Sequence, residues 1–318
     1  MSQKKQHPFT SLRVPSPQDQ YVTMGWELGN KCNYSCSYCV PELHGGDQAF
    51  PQDYSRFLEL AVEFQRKSQK KLAIELVGGE PTLWAQLGAF LDDCKQREIL
   101  VDLTSNGSRK PEWWVAMASR FNQIGLSYHT EFASQDHFTQ VIEGITQVKS
   151  FVVYILALPN QVQWAAELAQ SWVSRFPRVM VILKPVRKNF GEEFYPYSQE
   201  EWEVFRTRSG YYQKDYSLSP EVIETRKWLI DENDLTYRVR EIVANGYHRL
   251  KGWHCSAGID NIHVTTDGDI WRATCREGGR LGNLTSGWRL PSEAVVCGKD
   301  SCVCQRDLYS QKERRASD

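Results

Sequence analysis

The run Lys31-Cys-Asn-Tyr-Ser-Cys-Ser-Tyr-Cys39 sets Cys32, Cys36 and Cys39 in a C-x3-C-x2-C spacing. Soft thiolates at such spacing select zinc, copper(I) or iron–sulfur clusters. A structural four-sulfur site wants its fourth ligand nearby, and no fourth cysteine follows this run closely. The incomplete triad therefore points to an iron–sulfur cubane with one iron kept for another ligand. Structural zinc and chance spacing are the rival readings.

Downstream, the strand-like run Lys71-Leu-Ala-Ile-Glu-Leu-Val77 leads into Gly78-Gly79-Glu80-Pro81-Thr82. Two glycines let backbone approach a bound group, and the carboxylate sits where it accepts from an ammonium. Taken alone the segment is an ordinary turn. Together with the cysteine run it resembles the radical S-adenosylmethionine (SAM) superfamily, from about Tyr21 to about Pro185. The resemblance implies that Cys32, Cys36 and Cys39 hold a [4Fe-4S] cluster whose fourth iron chelates SAM. It also implies that Gly78, Gly79 and Glu80 bind the SAM ammonium and that Tyr38 covers the adenine. Thr104-Ser105-Asn106-Gly107 and Ser127, in Leu126-Ser-Tyr-His129, match segments that contact the methionine carboxylate or ribose.

Apolar strand-like runs alternate with helical patterns in a β-α-β-α rhythm, which is the mark of a parallel sheet. Strands are expected at Val22–Leu28, Leu72–Val77, Leu100–Thr104, Ile124–Tyr128, Phe151–Leu158 and Val179–Lys184. Helices are expected near Asp53–Gln69, Leu83–Lys95, Glu112–Phe121, Asp136–Val148 and Gln161–Arg175. The fold class is α/β, and the count agrees with the partial (β/α)6 barrel that the resemblance implies. In parallel barrels reactive groups sit at the carboxyl ends of the strands. The cysteine loop, Gly78–Glu80, Thr104–Asn106 and Ser127 all fall there. His129 and Glu131 beyond the fourth strand are candidates to bind SAM or deprotonate a substrate radical, and Lys184 and Arg187 after the sixth to bind a carboxylate of SAM or substrate, but all four have only position to recommend them and read first as solvated surface.

The chain divides into an N-terminal extension (1–20), the barrel (21–190), a bridging segment (191–250) and a cysteine-rich C-terminal domain (251–318). In the bridge, a helix is expected near Glu200–Arg206. Its aromatics Phe194-Tyr-Pro-Tyr197, Tyr211-Tyr212 and Tyr216 read as ordinary packing. Cys94, inside a predicted helix, reads as a small buried apolar residue.

The last five cysteines are Cys255, Cys275, Cys297, Cys302 and Cys304. Between the first two, Ile259–Thr265 and Asp269–Thr274 flank Thr266-Asp267-Gly268 and read as a β-hairpin with an Asp-Gly turn. A hairpin returns its ends together, and a later cysteine pair completes a four-ligand shell. This resembles the auxiliary-cluster extensions of radical SAM enzymes, called twitch with one cluster and SPASM with two. Five cysteines serve one auxiliary [4Fe-4S] cluster, and a zinc site remains the alternative.

The 318-residue chain carries 38 basic and 39 acidic residues, formal charge −1, so no global field favours nucleic acid or an anionic membrane. The N-terminus has no apolar signal core, and the run Phe151–Leu158 is too short to span a bilayer. A cytoplasmic protein is expected. An odd cysteine count at motif spacing argues for metal ligation over disulfides, and for oxygen sensitivity.

The resemblance implies reductive cleavage of SAM to a 5′-deoxyadenosyl radical that abstracts hydrogen from an unactivated C–H bond, with a flavodoxin- or ferredoxin-type electron donor. Oxidative modification or epimerisation of a peptide or protein is the preferred outcome. A dehydrogenase or tailoring enzyme of a small sugar, aminocyclitol or amino acid is the alternative. A non-catalytic zinc protein is the reading from another class.

Overall fold

The computed structural model describes residues 7–14, 21–147, 149, 151–176, 178–190, 193–208, 210–211, 228–238, 242, 245–302 and 304–315. Its centre is a run of six parallel strands paired in chain order: β1 (Tyr21–Glu27), β2 (Lys71–Val77), β3 (Leu100–Ser105), β4 (Gln123–His129), β5 (Phe151–Ala157) and β6 (Val179–Pro185). The crossovers run through α1 (Ser55–Ser68), α2 (Leu87–Gln96), α3 (Pro111–Met117), α4 (Gln135–Thr146) and α5 (Val162–Arg175), and α6 (Gln199–Arg208) follows β6. This is the expected α/β core.

The helices form where apolar residues recur at helical spacing. In α1, Phe57, Leu60, Ala61 and Phe64 are all buried, the i, i+3, i+4, i+7 stripe of a helix lying on a sheet. Phe57 stacks on Trp26 of β1, ring centroids 3.7 Å apart. The helix ends on Gln69, which adopts a left-handed backbone (φ 56°). The helix expected from Leu83 begins instead at Leu87. Pro81–Leu83 form a short 3-10 turn, because the Glu80 side chain accepts from Thr82 N and caps that turn first.

Strands β4 and β5 alternate strictly between buried and half-buried positions. One set, including Ile124, Leu126, Val153 and Ile155, joins the main apolar core with the helices. The other set faces the inside of the curved sheet and includes Gly125, Ser127 and His129 on β4 and Val152, Tyr154 and Leu156 on β5. Thr104 is exposed within the central strand β3, so this inner face borders an open lumen.

The sheet extends beyond the six strands at both edges to eleven. β7 (Gly210–Tyr211) pairs antiparallel with β6. At the other edge β8 (Asn261–Val264) lies parallel to β1, and β9 (Asp269–Trp271), β10 (Arg280–Asn283) and β11 (Gly287–Trp288) follow as an antiparallel meander. The hairpin read from the sequence is therefore β8–β9, with shorter strands than expected. Its turn closes through Thr265 N to Asp269 O and Gly268 N to Thr265 O, both 2.9 Å, with Gly268 at φ 82°. That hairpin is continuous with the barrel sheet, a pairing that no local pattern announces.

A second, four-stranded sheet joins Ser11–Leu12, Lys312–Glu313, His254–Cys255 and Val295–Val296. It adjoins an apolar cluster that includes Phe9, Leu12, Trp253, Cys302 and Leu308. Thus residues near the start of the chain brace the cysteine-rich end. The described aromatics of the bridge pack as expected: the Tyr197 hydroxyl accepts from Val186 N and donates to Ala157 O, each 2.7 Å. Tyr212 and Tyr216 lie outside the described residues. No helix among the described residues is long and apolar enough to cross a membrane.

Candidate active site at the barrel mouth

The cysteine loop leaves the carboxyl end of β1 and lies against the turn after β2. Gly79 N donates to Gly29 O and Glu80 N to Lys31 O, both 2.9 Å. The glycines are needed at this contact: a Cβ on Gly78 would strike Gly29 O, and one on Gly79 would strike Lys31 O. Gly78 also has φ 121°, a conformation costly for any other residue. Asn30, buried at the root of the loop, donates to Glu42 O (2.8 Å) and accepts from Gln48 N (2.8 Å).

Glu80 is buried, and its carboxylate accepts four hydrogen bonds. Thr82 N (3.0 Å), Thr82 Oγ1 (2.6 Å) and Ser105 Oγ (2.7 Å) donate to one oxygen, and Asn106 N (2.7 Å) to the other. Burial pushes its pKa up, and the donors oppose that shift. The residue ties the turn after β2 to the end of β3. To accept from a ligand ammonium it would have to share an oxygen already engaged. Asn106 continues the chain of contacts, donating from Nδ2 to Asn33 Oδ1 at 2.9 Å inside the cysteine loop.

Tyr38 is buried, and its hydroxyl lies 2.7 Å from His129 Nδ1. Cys36 Sγ is 3.3 Å from the same nitrogen. Burial drives the His129 pKa down to about 4, so the imidazole is neutral and Nδ1 can accept. Glu131 accepts from Ser37 N at 2.8 Å. Reading His129 as solvated surface is thus corrected: it is a half-buried brace between β4 and the cysteine loop. Ser127 and Thr104 face the lumen.

Lys184 is corrected in the same way. Its Nζ sits 3.7 Å from the centroid of the Tyr154 ring inside the barrel, and burial lowers its pKa to about 8. Arg187 lies over the Phe194 ring at 4.7 Å. Cys94 is buried in the core, as expected.

A network absent from the sequence reading crosses the lumen. Glu27 Oε1 is 2.8 Å from His263 Nε2, His263 Nδ1 is 3.3 Å from Arg306 Nη1, and Arg306 Nε donates to Glu75 Oε2 at 2.8 Å. Arg306 belongs to α7 (Gln305–Leu308), two residues beyond Cys304, and passes over Gly25, where any side chain would overlap it. A cavity of ≈ 160 Å³ lies beside it, bordered by Glu75, Thr104, Gly125 and Tyr154. The period-two pattern of polar and small residues on β1, β2 and β4 was the available signal.

All nine cysteines are free thiols. Burial raises the pKa of Cys36 and Cys39 to about 11. Among the described residues no three Cys, His, Asp or Glu side chains converge tightly enough to bind an ion unaided. What fits an iron–sulfur cluster is the donor set, three free sulfurs on one loop. At the C-terminal end, Cys255 pairs across strands with Lys312, which is fully buried and donates to the carbonyls of Asp307, Leu308 and Ser310. Cys275 N donates to Asp307 Oδ2 at 2.8 Å, and Cys302 N to His248 O at 2.8 Å. Cys297 N donates to Trp253 O at 2.8 Å, while Cys304 occupies the N-cap position of α7. This donor set fits thiolate ligation, with Lys312 as a buried counter-charge.

Residues 26–133 match the family model described as the Radical SAM superfamily. Among curated proteins, a probable GTP 3′,8-cyclase of Thermococcus kodakarensis is 24% identical over 46% of this chain and 45% of its own length. An S-adenosylmethionine-dependent nucleotide dehydratase of a Thermoplasmatales archaeon is 33% identical over 30% of this chain and 34% of its own. The chain thus spans less than half the length of these relatives. Among solved structures, anSMEcpe with bound AdoMet is similar at TM-score 0.51 and 17% identity, covering 84% of this chain and 79% of that one. Streptococcus suis SuiB bound to S-adenosylmethionine is similar at TM-score 0.51 and 12% identity, covering 83% and 64%. These two likenesses establish the shared fold.

Proposed function

We infer that this protein is a radical SAM enzyme. The observation that carries the reading is the contact of the Cys32–Cys39 loop with Gly78, Gly79 and Glu80 at the carboxyl rim of the barrel strands. Cys32, Cys36 and Cys39 would hold a [4Fe-4S] cluster, and the Gly78–Glu80 segment, Asn106 and Ser127 border the place for SAM. When bound, cluster and SAM together supply a 5′-deoxyadenosyl radical able to abstract hydrogen from an unactivated C–H bond. The chain's own task is placement and shielding. His129 and Tyr38 hold the cysteine loop, Glu80 holds the rim, and the polar lumen below receives substrate.

Four of Cys255, Cys275, Cys297, Cys302 and Cys304 would hold one auxiliary [4Fe-4S] cluster, which would supply an electron acceptor for an oxidoreductase-type outcome. A peptide or protein substrate is favoured, since an open cleft of ≈ 520 Å³ beside Glu27, bordered by Thr266, Asp269 and Trp271, offers room for an extended segment. Oxidation of a small natural-product intermediate is the second reading, favoured by the narrow cavity at the lumen floor. A soluble flavodoxin or ferredoxin would supply electrons in the cytoplasm.

The test is anaerobic reconstitution with iron and sulfide, then reductant and SAM. Release of 5′-deoxyadenosine by wild type is the expected result. A colourless protein that binds zinc and forms none would overturn the reading.

A further inference from the structure

The lumen holds a set of charged side chains, and all but one are paired. Glu27 meets His263, His263 meets Arg306, and Arg306 meets Glu75. Asp102 accepts from Asn122 Nδ2 at 2.7 Å. Lys184 is the exception: among the described residues no carboxylate lies within 4.0 Å of its Nζ, which sits over the Tyr154 ring face. Tyr154 is held in place across Gly125, where a Cβ would come within 3.0 Å of its ring. An ammonium drawn out of water with no anion in contact is only partly compensated by a ring face. Glu75 lies near enough to act on Lys184 electrostatically but spends Oε2 on Arg306, and its Oε1 has no hydrogen bond among the described residues.

We propose that Lys184 recognises a carboxylate of the substrate inside the lumen, with the free oxygen of Glu75 receiving a neighbouring N–H or O–H. This rests on the radical SAM reading and narrows its substrate to one bearing an acid group beside a donor. One unpaired cation suits one carboxylate. It does not suit a polyphosphate, because the lumen carboxylates Glu27, Glu75 and Asp102 already outnumber Arg306 and Lys184. The carboxylate of SAM is the other conceivable source. The resemblance puts that carboxylate or the ribose at Thr104–Gly107 and Ser127, and displacement of succinate by SAM distinguishes the two sources.

The probe is succinate, followed by saturation-transfer NMR on the reconstituted protein, with succinamide as the uncharged control. Wild type should bind succinate with SAM present and prefer it to succinamide. Lys184→Met should weaken succinate about tenfold or more, and Lys184→Arg should retain it. Equal succinate binding in wild type and Lys184→Met would overturn the proposal, as would displacement of succinate by SAM. Uncoupled formation of 5′-deoxyadenosine, measured on the same samples, separates the two readings. SAM cleavage by wild type together with equal succinate binding in wild type and Lys184→Met refutes only the subsite. Wild type that forms no 5′-deoxyadenosine refutes the enzyme reading on which the subsite rests.

Discussion

The Tyr38 hydroxyl and His129 Nδ1 lie 2.7 Å apart, so the cysteine loop after the first strand is fastened to the end of the fourth. The ring of Tyr38 is otherwise enclosed by Cys36 and Val186. The loop that carries Cys36 is thereby positioned by the opposite side of the mouth. Tyr38→Phe removes the bond and leaves a buried nitrogen without its donor, at a cost of about 1–2 kcal/mol. Urea denaturation should report that loss.

His129 also makes stability depend on pH. Burial lowers its folded pKa to about 4 from 6.5. Between those values the unfolded chain binds the proton and the folded chain does not, so this contribution is full above pH 6.5 and is lost as pH falls towards 4. Its upper bound is about 3 kcal/mol. The stability profile of His129→Gln, by thermal or urea unfolding, should be flatter across that window. An unchanged slope would remove His129 as its cause.

Glu80 acts as a carboxylate acceptor for four donors, two of them backbone N–H groups. Glu80→Gln turns an amide N–H₂ towards at least one of those donors and should cost about 2 kcal/mol or more. Glu80→Ala should cost more still. Calorimetry of both variants, ranked against wild type, checks the order.

Gly25 and Arg306 occupy one space from opposite ends of the chain. Gly25→Ala should destabilise by about 1–3 kcal/mol through overpacking. In an Arg306→Ala background the same substitution should cost much less, giving a coupling energy in a double-mutant cycle. Additive effects would show that Arg306 does not lie over Gly25.

Much of the barrel was legible because each strand and helix declares itself locally. Phe57, Leu60, Ala61 and Phe64 announce α1, and Phe151–Ala157 announces β5. The cysteine loop and Gly78–Glu80 were legible through residue chemistry at fixed spacing. What escaped depends on contacts between distant residues. The lumen network joins Glu27, Glu75, His263 and Arg306, and nothing near Cys304 signals that Arg306 enters the barrel. The parallel pairing of β8 with β1, and the bracing of the C-terminal end by Phe9 and Leu12, are long-range in the same sense. Lys184 and His129 looked like surface because burial, which shifts both pKa values, is invisible one residue at a time.

The central claim is that the Cys32–Cys39 loop holds a cluster that cleaves SAM. The most direct measurement is 5′-deoxyadenosine formed anaerobically from SAM and reductant by wild type and by Cys36→Ala, with iron counted in both. The account predicts product from wild type and none above background from Cys36→Ala, with less iron bound. Equal product from both proteins would contradict it.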